Sequence, residues 1–233
     1  MTPPASPAPG GTDRTVIRAG TADLDVLSQV IAGAFCDLAP SRWLIPDPAV
    51  RRQILPGYFR LHAEHALARG VVHTTPGCTA AALWIPAGGE AAESPDGYDA
   101  RLAAATSPWT SRFRAFDAAL EGHHPAGTAH WHLAILAVRP DRQGRGTGTA
   151  LLRACHAVLD QVPGIPAYLE ASSPRARDLY LAHGYALRPG APFHLPGDGP
   201  PLWPMWRQPR VKAAASPAAR ERHPGAPAAG ERM

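Results

Sequence analysis

Gly144, Gly146 and Gly148 alternate through QGRGTGT, Gln143 to Thr149, between the apolar run HWHLAILAV and a segment whose Leu151, Leu152, Cys155, Val158 and Leu159 fall on one side of a helix. Glycines at a strand-to-helix turn let backbone N–H groups approach a ligand closely, and the positive end of the following helix favours negative charge. That chemistry suits a phosphate or pyrophosphate. A dinucleotide turn would need GxGxxG with an acidic residue about 20 positions later, and a P-loop would need GK followed by Ser or Thr; neither is present. Proton-handling side chains lie nearby in the sequence. His132 suits proton removal near neutral pH, and strict alternation places His130, His132, Ala134, Leu136 and Val138 on one strand face. Glu170 suits binding a substrate cation or relaying a proton, and reads equally as a paired structural carboxylate. Tyr180, in LYLAHGY, has the spacing of a core residue with its hydroxyl at the rim. His130-x-His132 is half of a metal site, but no third ligand has matching spacing, so no metal is expected.

The elements that must position these residues follow from periodicity and breakers. Thr15 to Thr21 reads as a first strand, and Thr21 caps a helix with Leu24, Leu27, Ile31 and Ala34 near one face. DLAPSRWLIPDP is a broken stretch, after which Asp47-Pro48 opens a second helix carrying Ile54, Tyr58, Leu61 and His65 and ending near Gly70. VVHTT and TAAALWIP are adjacent strands joined by Pro76-Gly77. Asp96 to Gly122 is helical, interrupted at Pro108, with Trp109, Phe113, Phe116 and Leu120 on one side. His130 to Arg139 is a strong strand, Pro166 to Ser172 another, and a helix from Pro174 to His183 stops at Gly184. Two final strands flank the GDGP turn. This alternation of strands and helices is that of an α/β protein.

With 233 residues, 45% of them hydrophobic, the chain can bury one large core. Residues 1–13 and 210–233 are rich in Pro, Ala, Gly and Arg without apolar periodicity, so they are expected to be disordered around a single domain at 14–209. The net charge of +4 comes mostly from the tail, where Arg210, Lys212, Arg220, Arg222 and Arg232 face Glu221 and Glu231. A nearly neutral core argues against nucleic acid as a partner. Cys36, Cys78 and Cys155 are odd in number and form no CxxC pair, and neither an export signal nor a membrane span is evident, so a cytoplasmic protein is expected.

QGRGTG resembles the Q/R-x-x-G-x-G/A signature of the GNAT superfamily of N-acetyltransferases, and LAV followed by Pro140-Asp141 is similar to the approach to it in that family. LEASSPRARDLYLAHGYAL, from Leu169, resembles the strand, helix and strand that close the family's coenzyme site, in the family's order. The puromycin N-acetyltransferase type is closest in flavour, through AFCDLAPSR, AHWHLAILAV and LEASSPR. The resemblance implies a mixed, mostly antiparallel sheet of six to seven strands flanked by helices, with a splayed strand pair at the coenzyme site. It implies acetyl-CoA as co-substrate and no metal. Pantetheine would meet the backbone of Leu136, Ala137 and Val138, with the Val138 amide at the thioester oxygen, and the pyrophosphate would meet Gln143, Gly144, Arg145, Gly146, Thr147, Gly148 and Thr149, with Ser173 nearby. Ala176 stands where an Asn is common. Tyr180 falls where the family has a tyrosine that protonates the departing thiolate. His132, eleven residues before Gln143, stands where histone-type members carry a glutamate base and puromycin-type members an apolar residue. Glu170 is the other proton-handling candidate. Acceptor recognition falls to Asp37 and Trp43 in the first helix pair and to Trp203 in the last strands, with Leu38 where the puromycin type has a tyrosine. The implied activity is direct acetyl transfer to a primary amine of a small molecule, an antibiotic or metabolite, by a monomer or homodimer. Acetylation of a protein or peptide N-terminus, and a catalytically silent acyl-CoA sensor, remain open on the same resemblance.

Overall fold

The structure, a computed structural model, describes residues 14–88, 97–161 and 164–209. The two termini expected to be disordered therefore lie outside the described residues.

Polar caps and apolar stripes fix the first helices. The Asp47 carboxylate accepts from the amides of Ala49 and Val50 at 2.7 and 3.1 Å, satisfying two of the N–H groups that every helix start leaves open. Pro48 then begins α3 (Pro48–Arg69), which crosses α1 (Leu24–Phe35), where Leu27 and Ile31 are fully buried. The stretch read as broken folds instead into a short helix, α2 (Ala39–Leu44), because Pro40 occupies a first-turn position where its missing N–H costs nothing. Of the expected first strand only Ile17–Arg18 (β1) pairs, against β2 (Val71–Thr74). The interruption at Pro108 divides the next helical stretch into α4 (Tyr98–Thr106) and α5 (Thr110–His123). Gly184 ends α7 (Pro174–Ala182), which follows α6 (Thr147–Leu159) in the chain.

The remaining strands are β3 (Ala80–Ala87), β4 (His130–Val138), β5 (Ala167–Ala171), β6 (Ala186–Leu187), β7 (Phe193–His194) and β8 (Pro201–Arg207). They form an eight-stranded mixed sheet in the order β1-β2-β3-β4-β5-β8-β6, with β7 on β8. Its described pairings are antiparallel except β4 with β5. The sheet thus has the expected mixed character, extended by the two-residue strands β6 and β7. Packing splits across it. One face holds a core built on Leu27, Ile31, Leu55, Leu83, Phe113 and Ile135, under α1, α3, α4 and α5. The other holds Trp84, Leu133, Leu151, Leu152, Leu169 and Met205, under α6 and α7. No helix among the described residues is long and apolar enough to cross a membrane.

The expected alternation along β4 fails at one residue. Leu83 faces Ile135 while Trp84 faces Leu133, so Ala134 is extra. Such a bulge reverses side-chain parity downstream. Trp131 and Leu133 pack with the α6 core, as do Leu136 and Val138, whereas Ile135 and Ala137 pack with the α1 core. His132 therefore shares its face with Ile135 and Ala137, and not with Leu136 and Val138 as strict alternation required.

Candidate active site

β4 and β5 pair only through Trp131 with Ala167 and His132 with Tyr168, and part beyond that point. The Arg139 amide donates to the Thr79 carbonyl at 2.9 Å. Antiparallel alternation from that bond turns the backbone groups of Ala137 toward β3 and leaves those of Leu136 and Val138 on the side where β5 has departed. Gln143 Nε2 takes up the Val138 carbonyl at 3.0 Å, which leaves the Val138 N–H facing the gap. The gap opens into a cavity of about 720 Å³ that reaches from the glycine turn to α1 and α3.

At the turn, Gly144 has φ +76° and Gly146, the N-cap of α6, has φ +84°. Only glycine holds this left-handed backbone without strain. Gly148 serves otherwise: it sits inside α6 with Leu179, Leu136 and Val138 at van der Waals distance from where a Cβ would stand. The Thr147 hydroxyl, buried at the helix start, has no hydrogen-bond partner among the described residues. An unsatisfied hydroxyl beside the open amides of a helix N-terminus is the donor set that an anionic oxygen takes up. Arg142 and Arg175 line this end, and the Arg175 guanidinium lies 3.8 Å from the Gly144 Cβ position. These residues fit a pyrophosphate. Arg145 is not on the wall; its carbonyl instead accepts from Arg14 Nε at 3.2 Å. Thr149 lines the cavity with its hydroxyl 3.4 Å from His183 Nε2, and Ser173 lines it while capping α7 through the Ala176 amide at 3.2 Å.

Midway along the cavity are Tyr180, His132 and Glu170. Tyr180 is 7% exposed, and its hydroxyl has no hydrogen bond to another described residue. Burial raises its pKa, so the hydroxyl keeps its proton at neutral pH. Glu170 Oε2 lies 3.0 Å from His132 Nε2. Burial opposes ionisation of Glu170, but the charge of His132 and hydrogen bonds from His124, His132 and Tyr168 outweigh it and bring the carboxyl down to about 2. An ionised Glu170 can only accept, so the His132 proton sits on Nε2 and its Nδ1 is the free base nitrogen. Sequence spacing missed His124 at the end of α5. Its Nδ1 is 3.9 Å from Glu170 Oε1, and one ligand atom from each of His124, His132 and Glu170 fits within 4.8 Å of the others.

None of the three expected acceptor residues lines the cavity. Asp37, its side chain 85% exposed, is drawn to buried Arg51 at 3.3 Å. Trp43 donates to the Pro196 carbonyl at 3.2 Å. Trp203 is buried against the α6 core, with Arg177 over its ring. The end of the cavity away from the turn is walled by Phe35, Leu38, Tyr58, Phe59, His62 and Phe116. Tyr58 was legible as one side of an amphipathic helix, but nothing in the local sequence says that this side borders a void. Glu170 is the one acidic residue among those lining the cavity.

Residues 115–187 match the family model of the acetyltransferase (GNAT) domain, a span that contains β4, the turn, α6, β5 and α7. The fold is the GNAT fold. It is similar to the crystal structure of histone acetyltransferase HPA2 and related acetyltransferase from Corynebacterium glutamicum, with 28% identity and a TM-score of 0.61, covering 86% of this chain and 98% of that one. It is also similar in fold to arylalkylamine N-acetyltransferase 2 from Aedes aegypti, with 11% identity and a TM-score of 0.55, covering 84% and 99%. In GNAT terms the parted strands β4 and β5 are the splayed pair, and QGRGTG is the signature turn.

Proposed function

We propose that this protein is an acetyl-CoA-dependent N-acetyltransferase that acetylates a primary amine on a small, largely apolar molecule. The observation that carries the reading is the polarity of one cavity: arginines and open amides at the glycine turn, a single carboxylate midway, and aromatic side chains at the other end. The turn suits a pyrophosphate, the carboxylate an ammonium group, and the aromatic end its apolar body. The arylalkylamine relative and the puromycin-type segments agree with such an acceptor. Leu38 on the wall, in place of the puromycin type's tyrosine, gives the acceptor a different surface to meet. The free thiols Cys36, Cys78 and Cys155 suit the reducing cytoplasm.

When bound, acetyl-CoA supplies the thioester from which the acetyl group leaves. The α6 amides and Thr147 hold the pyrophosphate, and the open edge of β4 aligns the pantetheine arm. The Val138 N–H donates to the thioester oxygen, where negative charge develops. Glu170 attracts the incoming ammonium and fixes the His132 tautomer, and His132 Nδ1 takes the amine proton. Tyr180 gives its hydroxyl proton to the departing sulfur. The test is thiol release from acetyl-CoA with a panel of apolar primary amines, carboxylated amines and peptides. Apolar amines should give release and carboxylated ones little. Release with peptides alone would move the reading to a peptide acetyltransferase, and no release with any amine would reduce it to an acyl-CoA sensor.

A further inference from the structure

We infer that His124, His132 and Glu170 form a binding site for a divalent transition-metal ion of the zinc class. Two imidazoles and one carboxylate are a donor set that zinc takes in sites with an open fourth position. Ligand atoms around a tetrahedral zinc stand roughly 3.4 Å apart, given bonds of about 2.0–2.1 Å. Here His132 Nε2 and Glu170 Oε2 are 3.0 Å apart, His124 Nδ1 and Glu170 Oε1 are 3.9 Å apart, and one ligand atom from each of the three residues lies within 4.8 Å of the others. Small side-chain rotations would close these to an ion. The donors come from three different elements, β4, β5 and the end of α5, so tertiary packing and not local spacing assembles them.

The second observation is the orientation of His124. His130 Nδ1 faces the Thr128 carbonyl at 2.7 Å, so that nitrogen carries the proton and the Nε2 of the neutral ring is a lone pair. His124 Nε2 is 3.1 Å from it and therefore donates. The remaining nitrogen of His124, Nδ1, lies on the Glu170 side, 3.9 Å from Oε1. A metal ion would take the place of a proton between them. The chain from the Thr128 carbonyl through His130 to His124 is the outer-shell arrangement that orients ligating histidines. His132 and Glu170 line the cavity, so the fourth position opens onto it.

Metal binding at His132 Nε2 moves that nitrogen's proton to Nδ1, so the ring stays neutral. With Nδ1 protonated, His132 cannot serve as the base, so zinc should inhibit reversibly; this consequence, unlike the binding itself, rests on the function proposed above. The experiment takes the full-length chain, stripped with chelator, and titrates it with Co²⁺ and Zn²⁺. One equivalent of Co²⁺ should give the visible bands of a four-coordinate ion, and Zn²⁺ should displace it and bleach them. His124→Ala and Glu170→Gln should abolish the bands. His130→Phe should weaken affinity roughly 10- to 100-fold, as outer-shell changes do. Thermal melts establish that each variant is folded, and His124→Asn replaces the alanine variant if that one is not. Absence of stoichiometric uptake by the wild type, or uptake unchanged in both His124→Ala and Glu170→Gln, would overturn the site. Because uptake is read spectroscopically, metal binding is measured even if the protein acetylates no amine.

Discussion

Tyr180 offers a hydroxyl with no partner among the described residues to the middle of the cavity, where a departing sulfur would need a proton. Removing only that oxygen separates the acid from the core residue. Tyr180→Phe keeps the ring edge-on to Tyr185 at 5.7 Å, so stability and acetyl-CoA affinity should change little. The rate of the chemical step should fall by about 10²-fold or more, the usual worth of a positioned acid. Single-turnover rates in the variant equal to wild type would dismiss the role. Tyr180, His132 and Glu170 were legible because each sits within or beside a motif whose local order also fixes its place. His124, Arg175 and His62 were not, since contacts between distant parts of the chain bring Arg175 and His62 to the cavity and His124 to Glu170. Asp37, Trp43 and Trp203 show the converse: polar and amphipathic side chains look free in a sequence, yet Arg51, the Pro196 carbonyl and the α6 core claim them.

At the scale of elements, the turn between β4 and α6 depends on two left-handed glycines, and the strand before it on one extra residue. Gly146→Val should test the turn. A β-branched residue at φ +84° is strained whatever the space around it, although its Cβ would meet the Arg14 guanidinium only at ordinary contact distance, 3.5 Å. The expected cost is about 1–3 kcal/mol of stability, with acetyl-CoA binding weakened more than tenfold as the first α6 amides turn away. Isothermal titration with acetyl-CoA checks this, and unchanged affinity in a folded variant would detach the turn from the ligand. The glycine spacing was readable because glycine marks special backbone directly. The bulge was not: Ala134 has no sequence signature, and its effect on parity emerges only from the pairing of β4 with β3. Similarly, α2 lay hidden in a stretch whose prolines read as breakers, although Pro40 sits where a helix tolerates one.

Across the whole molecule, the cavity adjoins the cores on both faces of the sheet, and some of the groups walling it are poorly placed for stability. His62 is the clearest case. Its Nε2 is buried without a partner among the described residues, and it packs edge-on to Tyr58 at 4.6 Å and near Tyr98. Burial, helped by the positive charge that His65 and His132 can carry, lowers its pKa from 6.5 to about 4. The folded state therefore holds a neutral ring, while the unfolded chain binds a proton below pH 6.5. The sign follows: the contribution to stability is full above the unfolded value, declines as pH falls from 6.5 towards 4, and is lost below the folded value. The swing is on the order of 3 kcal/mol. His130, also lowered to about 4, contributes in the same direction and stays in any His62 variant. His62→Phe removes the titrating nitrogen and keeps an aromatic ring against Tyr58. Urea midpoints should then be similar to wild type or higher at about pH 7, and the advantage of the variant should widen by about pH 5. Parallel loss of stability in the two proteins between these pH values would show that His62 is not protonated on unfolding in the way its burial requires. The same substitution bears on the acceptor end, because a phenylalanine there makes the wall more apolar and should tighten apolar amines without changing the affinity for acetyl-CoA.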